Sequence, residues 1–442
     1  MNRIVSLMLL VLFFINCSKN DETTTVAPTV FTVPETKDIV MYEINIGSFS
    51  QAGNLNGIIN RLDAIQALGI NTIWLMPIHP IGTVNSFGSP YCIKDFRGVN
   101  PEIGTLNDLK NLVEQAHERG IAVILDWVTN HTAWDHPWIT QHPNWYTQDG
   151  SGNIVHPPGT NWTDVADLNY NSAAMRSEMI AAMQFWITEA GIDGFRCDAA
   201  DLVPFDFWQN AIATIQNETG RSLIFLAEGT RNDHFAAGFQ MNFSWDYYNV
   251  VKNVFTMNGN PSQLYSTNSN EYQTVPSGKK KLRFTTNHDL SNELTPMGVF
   301  GSKKVALAAS VATIFMNGVP LLYSGQEVGV NNPSVYTTGQ TIAWNANADM
   351  LAEYKKLMLF YKNSEVAKSG TLQYLNNSNF IIIEKTLGEN KLLVIINSRA
   401  SVQSLSLPTN LQGNWQNVMS NNSVLISANV ELNAHDYLIL LK

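Results

Sequence analysis

Four stretches of the chain end in acids and imidazoles: Asp126-Trp-Val-Thr-Asn130-His131, Gly194-Phe195-Arg196-Cys197-Asp198, Leu223-Ile-Phe-Leu-Ala-Glu228 and Thr285-Thr-Asn-His288-Asp289. Each reads as a strand whose polar residues gather at its C-terminal end. Side chains alternate along a strand, so Arg196 and Asp198 share one face while Phe195 and Cys197 point the other way. A guanidinium two residues from a carboxylate favours its ionised form. Glu228 closes a run that is otherwise apolar, and desolvation at such a place favours a protonated carboxyl, as a general acid requires. One ionised and one protonated carboxyl at one sheet edge are the equipment for glycoside hydrolysis by two carboxylates.

Residues so far apart in sequence act together only if a fold brings their strand ends to one mouth. After residue 36, short apolar runs alternate with amphipathic stretches, the pattern of β-α units around a parallel sheet. The expected strands are Ile39–Ile44, Thr72–Met76, Ala122–Asp126, Gly194–Asp198, Leu223–Glu228, Gln240–Phe243, Leu282–Thr286 and Val319–Tyr323. Eight such strands close a TIM barrel, whose chemistry sits at the C-terminal strand ends. Leu55, Ile58, Ile59, Leu62, Ile65 and Leu68 mark the buried face of one helix that Gly69 ends. Thr105-x-x-Asp108 opens another as a capping box, and Gly120 stops it. The connection from His131 to about Ser172 carries Trp134, Trp138, Trp145, Tyr146 and Trp162. Long loops at this end of a barrel are usually functional. Its rings would form either a flat platform for pyranoses or the packed core of an irregular loop. From about Ser369 the pattern changes to short strands separated by turn signals, expected to form an antiparallel β-sandwich. The fold class expected is therefore α/β: a TIM barrel with a long loop subdomain after strand 3 and a C-terminal antiparallel sandwich. In residue numbers, the barrel covers 37–368, the inserted subdomain 132–172 and the sandwich 369–442.

Composition agrees with a globular fold. Of 442 residues, 45% are hydrophobic and 14% charged, and 27 Lys+Arg against 37 Asp+Glu give a net charge of −10. That balance excludes nucleic acid as a default partner, since phosphate contacts need clustered cations. The one basic run, Lys279-Lys280-Lys281, reads as a solvated loop before a strand. Three cysteines cannot staple a chain of this length, and Cys92 and Cys197 read as buried free thiols. At the start, an apolar run from Ile4 to Ile15 is too short to span a membrane and fits a signal-peptide core. Cys17 follows it, as in a bacterial lipoprotein cleavage and lipidation site, although Asn16 replaces the usual small residue. Residues 1–17 are thus expected to be a signal peptide with a lipidated Cys17, and 18–36 a flexible tether. The protein would be exported and anchored to a bacterial membrane, and Ser18-Lys19-Asn20-Asp21-Glu22 is similar to signals that send lipoproteins to the cell surface.

The four stretches, taken in order, resemble the motifs of the alpha-amylase family, glycoside hydrolase family 13. Asp167-Leu-Asn169 resembles a fifth motif, and Tyr42-Glu43-Ile44, the run from Tyr91 to His131 and Gly318 to Glu327 are similar as well. The resemblance implies Asp198 as nucleophile, Glu228 as acid and then base, and Asp289 as the residue that holds the distorted sugar. It implies that His131, His288 and Arg196 surround the same sugar, that Asp126 braces the site and that Tyr91 stacks on the ring. The substrate implied is an α-1,4-linked, starch-like glucan or maltooligosaccharide, cleaved with retention. Glucan transferases and cyclodextrin- or pullulan-cleaving relatives share these residues. A catalytically silent glycan-binding lipoprotein is the alternative from another class, and the presence of all three acids disfavours it. After Asp198-Ala-Ala, many starch-cleaving members carry a Lys-His pair that contacts sugar, whereas Asp201-Leu202 stands here. No organic cofactor is implied. Asn130 and Asn169 would supply oxygen ligands that suit calcium, although calcium-dependent members often have Asp at the second position.

Overall fold

A computed structural model describes residues 31–331 and 340–442. Cys17, the expected signal peptide and most of the expected tether lie outside these residues. In chain order the first strands are β1 (Met41–Ile44), β2 (Thr72–Leu75), β3 (Ala122–Val128), β4 (His131–Ala133), β5 (Val165–Asp167), β6 (Gly194–Asp198), β7 (Ile224–Ala227), β8 (Met241–Phe243), β9 (Lys280–Arg283) and β10 (Val319–Tyr323). Eight of them form a closed barrel in the order β1-β10-β9-β8-β7-β6-β3-β2. Every pairing in it is parallel, and β1 closes on β10 through Met41↔Leu321.

The alternation along each strand divides the barrel wall. Tyr42, Ile73, Leu75, Val123, Leu125, Phe195 and Cys197 join one apolar cluster with helix residues such as Leu109, Leu112, Met179 and Met183. The opposite faces carry Glu43, Trp74, Asp126, Arg196 and Asp198, all buried. Gly194 opens β6 at φ +147°, and a Cβ there would lie 1.9 Å from the carbonyl oxygen of Ile224. Only glycine lets β6 and β7 approach this closely.

β4 and β5 form a small antiparallel pair that folds the long loop back on itself, with His131 opposite Asp167. The C-terminal strands are β11 (Thr371–Tyr374), β12 (Phe380–Leu387), β13 (Asn390–Asn397), β14 (Gln403–Ser406), β15 (Gly413–Asn417), β16 (Asn422–Ile426), β17 (Asn429–Leu432) and β18 (Tyr437–Leu441). A six-stranded sheet, β11-β12-β13-β18-β15-β16, faces the pair β14-β17. Phe380, Ile382, Leu393 and Ile395 share a core with Leu405, Val430 and Leu432 from that pair. The other faces of β12 and β13, with Ile381, Ile383, Leu392 and Val394, join the apolar cluster of the barrel. Burial on both faces explains why these two strands read as continuous apolar runs.

Two expectations need correction. The stretch from Leu55 to Leu68 is two helices, Leu55–Ile59 and Leu62–Ala67, broken at Arg61, whose guanidinium lies 3.7 Å over the Trp344 ring. The lysine run is no solvated loop: β9 begins at Lys280, and the buried Lys281 ammonium donates to Asn242 Oδ1 at 2.7 Å. β15 and β17 carry too few apolar residues to stand out in sequence, because each buries only one face.

Candidate active site

The C-terminal ends of the barrel strands open on a cavity of about 410 Å³, lined among others by Tyr91, His131, Asp198, Glu228, His288 and Asp289. Register explains the convergence. Asp126 pairs with Arg196 across β3 and β6, and Cys197 with Ala227, so Glu228 follows directly beside Asp198.

Arg196 is the hub of the floor and is fully buried. Its Nη1 donates to Asp126 Oδ1 at 2.7 Å and to Asp198 Oδ1 at 3.0 Å, while Nη2 lies 2.9 Å from Glu228 Oε2. The Trp74 ring covers the guanidinium, 4.9 Å from its carbon. Ala199 takes the left-handed conformation at φ +45°, unusual for a residue with a Cβ, and its N–H donates to Glu228 Oε2 at 2.8 Å. The surroundings of Glu228 are therefore a cation and an N–H rather than the apolar wall expected from its strand.

The opposite side is organised by His288. Its Nδ1 meets Glu43 Oε1 at 2.6 Å, and its Nε2 lies 2.8 Å from the Tyr91 hydroxyl and 3.1 Å from Asp289 Oδ1. Desolvation works against a charge here, but Asp289 and Glu43 outweigh it and hold the imidazole protonated well above its ordinary range. Both ring nitrogens then donate. The Tyr91 hydroxyl accepts from His288 and donates to Asp126 Oδ2 at 2.9 Å, an oxygen that also accepts from Trp74 Nε1 at 3.1 Å. Tyr91 stacks on His288, with ring centres 5.2 Å apart, so one face of the phenol is already covered.

These contacts set the protonation of the floor. Asp126, Asp198, Glu228, Asp289 and Glu43 surround two cations, Arg196 and His288. Burial pushes the Asp198 carboxyl well up, and the neighbouring Glu228, Asp126 and Asp289 add to it, against the pull of Arg196. Arg196 opposes this rise and favours the ionised form, with its one guanidinium shared among Asp126, Asp198 and Glu228. Asp289 goes the other way, because the His288 charge overcomes the desolvation that would raise it. Burial lowers His131 to about 4, so it is neutral at pH 7.

The long loop contributes less than its composition promised. Trp162 lines the cavity and is 37% exposed, whereas Trp145 and Tyr146 are buried in the loop's own packing. Trp138 packs on Phe96, His136 and Trp145. Glu43 and Trp74 carry no role in the sequence reading; the available signal was a carboxyl inside a four-residue apolar strand. Phe87 and Trp245 line the cavity without a motif to announce them, and Leu202 lines it from the position where the family resemblance implies a sugar contact. Asn169 spends Oδ1 on the Asn171 N–H at 3.0 Å, and Asn130 directs Nδ2 at His131. Among the described residues no three His, Cys, Asp or Glu are grouped so as to hold a metal ion. Cys92 and Cys197 are free and buried.

Known proteins match this architecture. An alpha-amylase from Lactobacillus plantarum superposes with a TM-score of 0.83 at 27% identity, covering 92% of this chain and 99% of that one. Alpha-amylase 3 of Dictyoglomus thermophilum is 28% identical over 363 residues, 73% of this chain and 70% of that protein. A cyclomaltodextrin glucanotransferase of Thermoanaerobacterium thermosulfurigenes is 28% identical over 79% of this chain and 55% of its own length. The family model described as the alpha amylase catalytic domain matches residues 18–158 and 159–364. With that match spanning most of its length, the chain belongs to the alpha-amylase family.

Proposed function

We propose that this protein is a retaining glycoside hydrolase that cleaves α-1,4-glucosidic bonds in starch-like glucans or maltooligosaccharides. The observation that carries the assignment is a single buried guanidinium, Arg196, in contact with both Asp198 and Glu228 on the floor of one sugar-sized cavity. In the first step the ionised form of Asp198, which its contact with Arg196 favours, attacks the anomeric carbon as the bond to the leaving oxygen breaks and Glu228 gives that oxygen its proton. In the second, Glu228 takes a proton from water, whose oxygen displaces Asp198 and restores the carboxylate. The ionised Asp289, held by His288, faces the cavity with its side chain 46% exposed. It stabilises the oxocarbenium-like transition state and accepts from sugar hydroxyls. Neutral His131 and protonated His288 add hydrogen bonds around the same ring, while Tyr91 and Asp126 brace it.

Sizing the products from amylose, pullulan, cyclodextrin and maltotriose tests the substrate, and NMR of the first-formed anomer tests the stereochemistry. Hydrolysis with an α-product is expected, and a first-formed β-anomer would overturn the assignment of the pair. The glucanotransferase among the relatives supports a second reading, sugar transfer by the same carboxyls. Products longer than the starting maltooligosaccharide would reveal it. We further propose that Cys17 carries a lipid anchor that holds the enzyme outside the cytoplasm, on the motif of the apolar run that precedes it. Cys17→Ala should release the protein from the membrane fraction or block its processing, and unchanged retention would exclude the anchor.

A further inference from the structure

The wall beside Asp198 holds another carboxyl that the proposed chemistry leaves unused. Asp201 lines the cavity with its side chain 38% exposed, yet its oxygens face the next loop rather than the opening. Oδ2 accepts from the Thr230 N–H at 3.0 Å and Oδ1 from the Arg231 N–H at 3.1 Å. The buried His234 presents Nε2 to the same Oδ1 at 3.4 Å. Between Glu228 and Thr230 stands Gly229 at φ +154°, where a Cβ would lie 2.3 Å from Asp201 Oδ1. The carboxylate therefore lies flat on the backbone directly after Glu228, and glycine is the residue that admits it.

The bracing is mutual. Arg231 returns two hydrogen bonds through Nη1, to the carbonyls of Asp201 and Val203, each at 3.0 Å. On the strand side, the Glu228 N–H donates to the Cys197 carbonyl and the Ala200 N–H to the Glu228 carbonyl, both at 2.9 Å. The ladder thus holds residue 228 itself, and Asp201 holds residues 230 and 231. Two converging N–H groups need two acceptors. A carboxylate offers both and makes charge-assisted bonds, an amide offers one oxygen, and an ammonium offers none.

We propose that Asp201 is a positioning residue that fixes the loop after Glu228 and so aims the acid/base carboxyl at the scissile oxygen. The inference rests on the assignment of Glu228 as acid/base. It also gives a structural use to the position where the family resemblance leads one to expect a sugar-contacting lysine: here the side chain serves the scaffold, and a lysine cannot replace it.

Asp201→Ala, Asp201→Asn and Asp201→Lys in the full chain test this, using maltotriose and a 4-nitrophenyl maltoside. Misaiming the acid should lower kcat on maltotriose about 10²-fold in Asp201→Ala with little change in KM. The nitrophenyl substrate, which needs less help from a proton, should lose less than about tenfold. Asp201→Asn, keeping one acceptor, should recover part of the loss, and Asp201→Lys should be at least as poor as Asp201→Ala. Hydrogen exchange at Thr230 and Arg231 should accelerate in Asp201→Ala while the barrel strands stay protected. A lysine variant with wild-type kcat, equal losses on both substrates, or unchanged exchange at these two amides would overturn the proposal. If the wild-type protein cleaves neither substrate, the glycosidase reading falls, while the exchange comparison still decides whether Asp201 clamps the loop.

Discussion

The floor and the rim of the cavity are built on opposite principles. On the floor, Asp126, Arg196, Tyr91, His288 and Glu43 are locked in a continuous hydrogen-bonded chain with distances between 2.6 and 2.9 Å. At the rim, Phe87, Leu202 and Trp162 are 64%, 49% and 37% exposed. The floor has already oriented its dipoles and charges around the place where charge develops, so little reorganisation is left for the reaction. The rim offers flat apolar surface that becomes covered only when a sugar arrives. Chemistry and affinity are therefore assigned to different residues, and substitutions at the two levels should move different kinetic constants.

The largest effect belongs to the floor. Asp198→Asn keeps the shape of the side chain and removes the nucleophile, so kcat should fall on the order of 10⁴-fold or more. Maltooligosaccharide binding, read by calorimetry, should persist. Loss of binding together with turnover would mean that floor and rim are not separable. Arg196→Met removes the shared cation and leaves Asp126 buried without its partner. Breaking a buried ion pair in this way costs about 3–5 kcal/mol, visible as a large drop in Tm at pH 7. The sign of its pH dependence follows. Carboxyls that lose a cation have folded-state pKa values raised above the unfolded ones. Their contribution is then fully present at low pH and is lost as pH rises through the raised values. The variant should therefore regain stability relative to wild type on acidification, and a gap in Tm that is constant with pH would contradict the hub role.

How far the sequence reveals these two levels differs for a physical reason. β6 and β10 have the expected bounds, and the apolar run of β10 stops abruptly after Tyr323. The floor residues lie at strand ends, where alternation and parallel register carry their placement, so Arg196 and Asp198 could be set on one side of the wall from spacing alone. Glu43 escaped because its partner, His288, is 245 residues away. The rim lies in loops, whose path depends on long-range packing. Trp162 and Trp145 look alike in sequence, but one faces the cavity and the other the loop core. β9 was placed too late because Lys280 and Lys281 look solvent-facing. Only the barrel supplies Asn242 as the partner that lets Lys281 be buried.

Neutral imidazoles are buried behind the barrel and at the start of the loop that carries Trp162 to the rim, and they give an intermediate effect. Burial lowers His79, His131 and His136 each to about 4. His79 packs against Phe96, Trp127 and Trp186, and His136 accepts from the Trp138 N–H at 3.1 Å to cap the helix Pro137–Gln141. Between the unfolded value of 6.5 and about 4, the unfolded chain binds protons that the folded one refuses, so stability falls as pH drops through that window. Each ring accounts for up to roughly 3 kcal/mol at the acid end. Tm should decline from pH 7 to pH 4, and His136→Asn, which keeps an acceptor at the cap and cannot titrate there, should flatten part of the slope. A slope unchanged in that variant would remove His136 from the account.

The smallest effect, and the sharpest test of the division of labour, is at Trp162. The indole sits at the mouth beside His131, with ring centres 5.6 Å apart, and its backbone N–H is held by the Thr160 hydroxyl at 3.3 Å. It touches none of the carboxyls that the reaction needs. If its ring supplies stacking surface to a sugar, removing it costs that contact equally in the ground state and the transition state. Such uniform binding appears in KM and leaves kcat alone. An aromatic contact of about 0.5–1.5 kcal/mol corresponds to a rise in KM of roughly two- to tenfold for Trp162→Ala. Trp162→Phe should restore most of it, since a flat apolar face remains. The effect should also grow with chain length if the ring lies beyond the scissile bond, so maltotriose and a longer maltooligosaccharide should be compared. A fall in kcat with KM unchanged would place Trp162 in the floor's chemistry and would erase the boundary between the two levels.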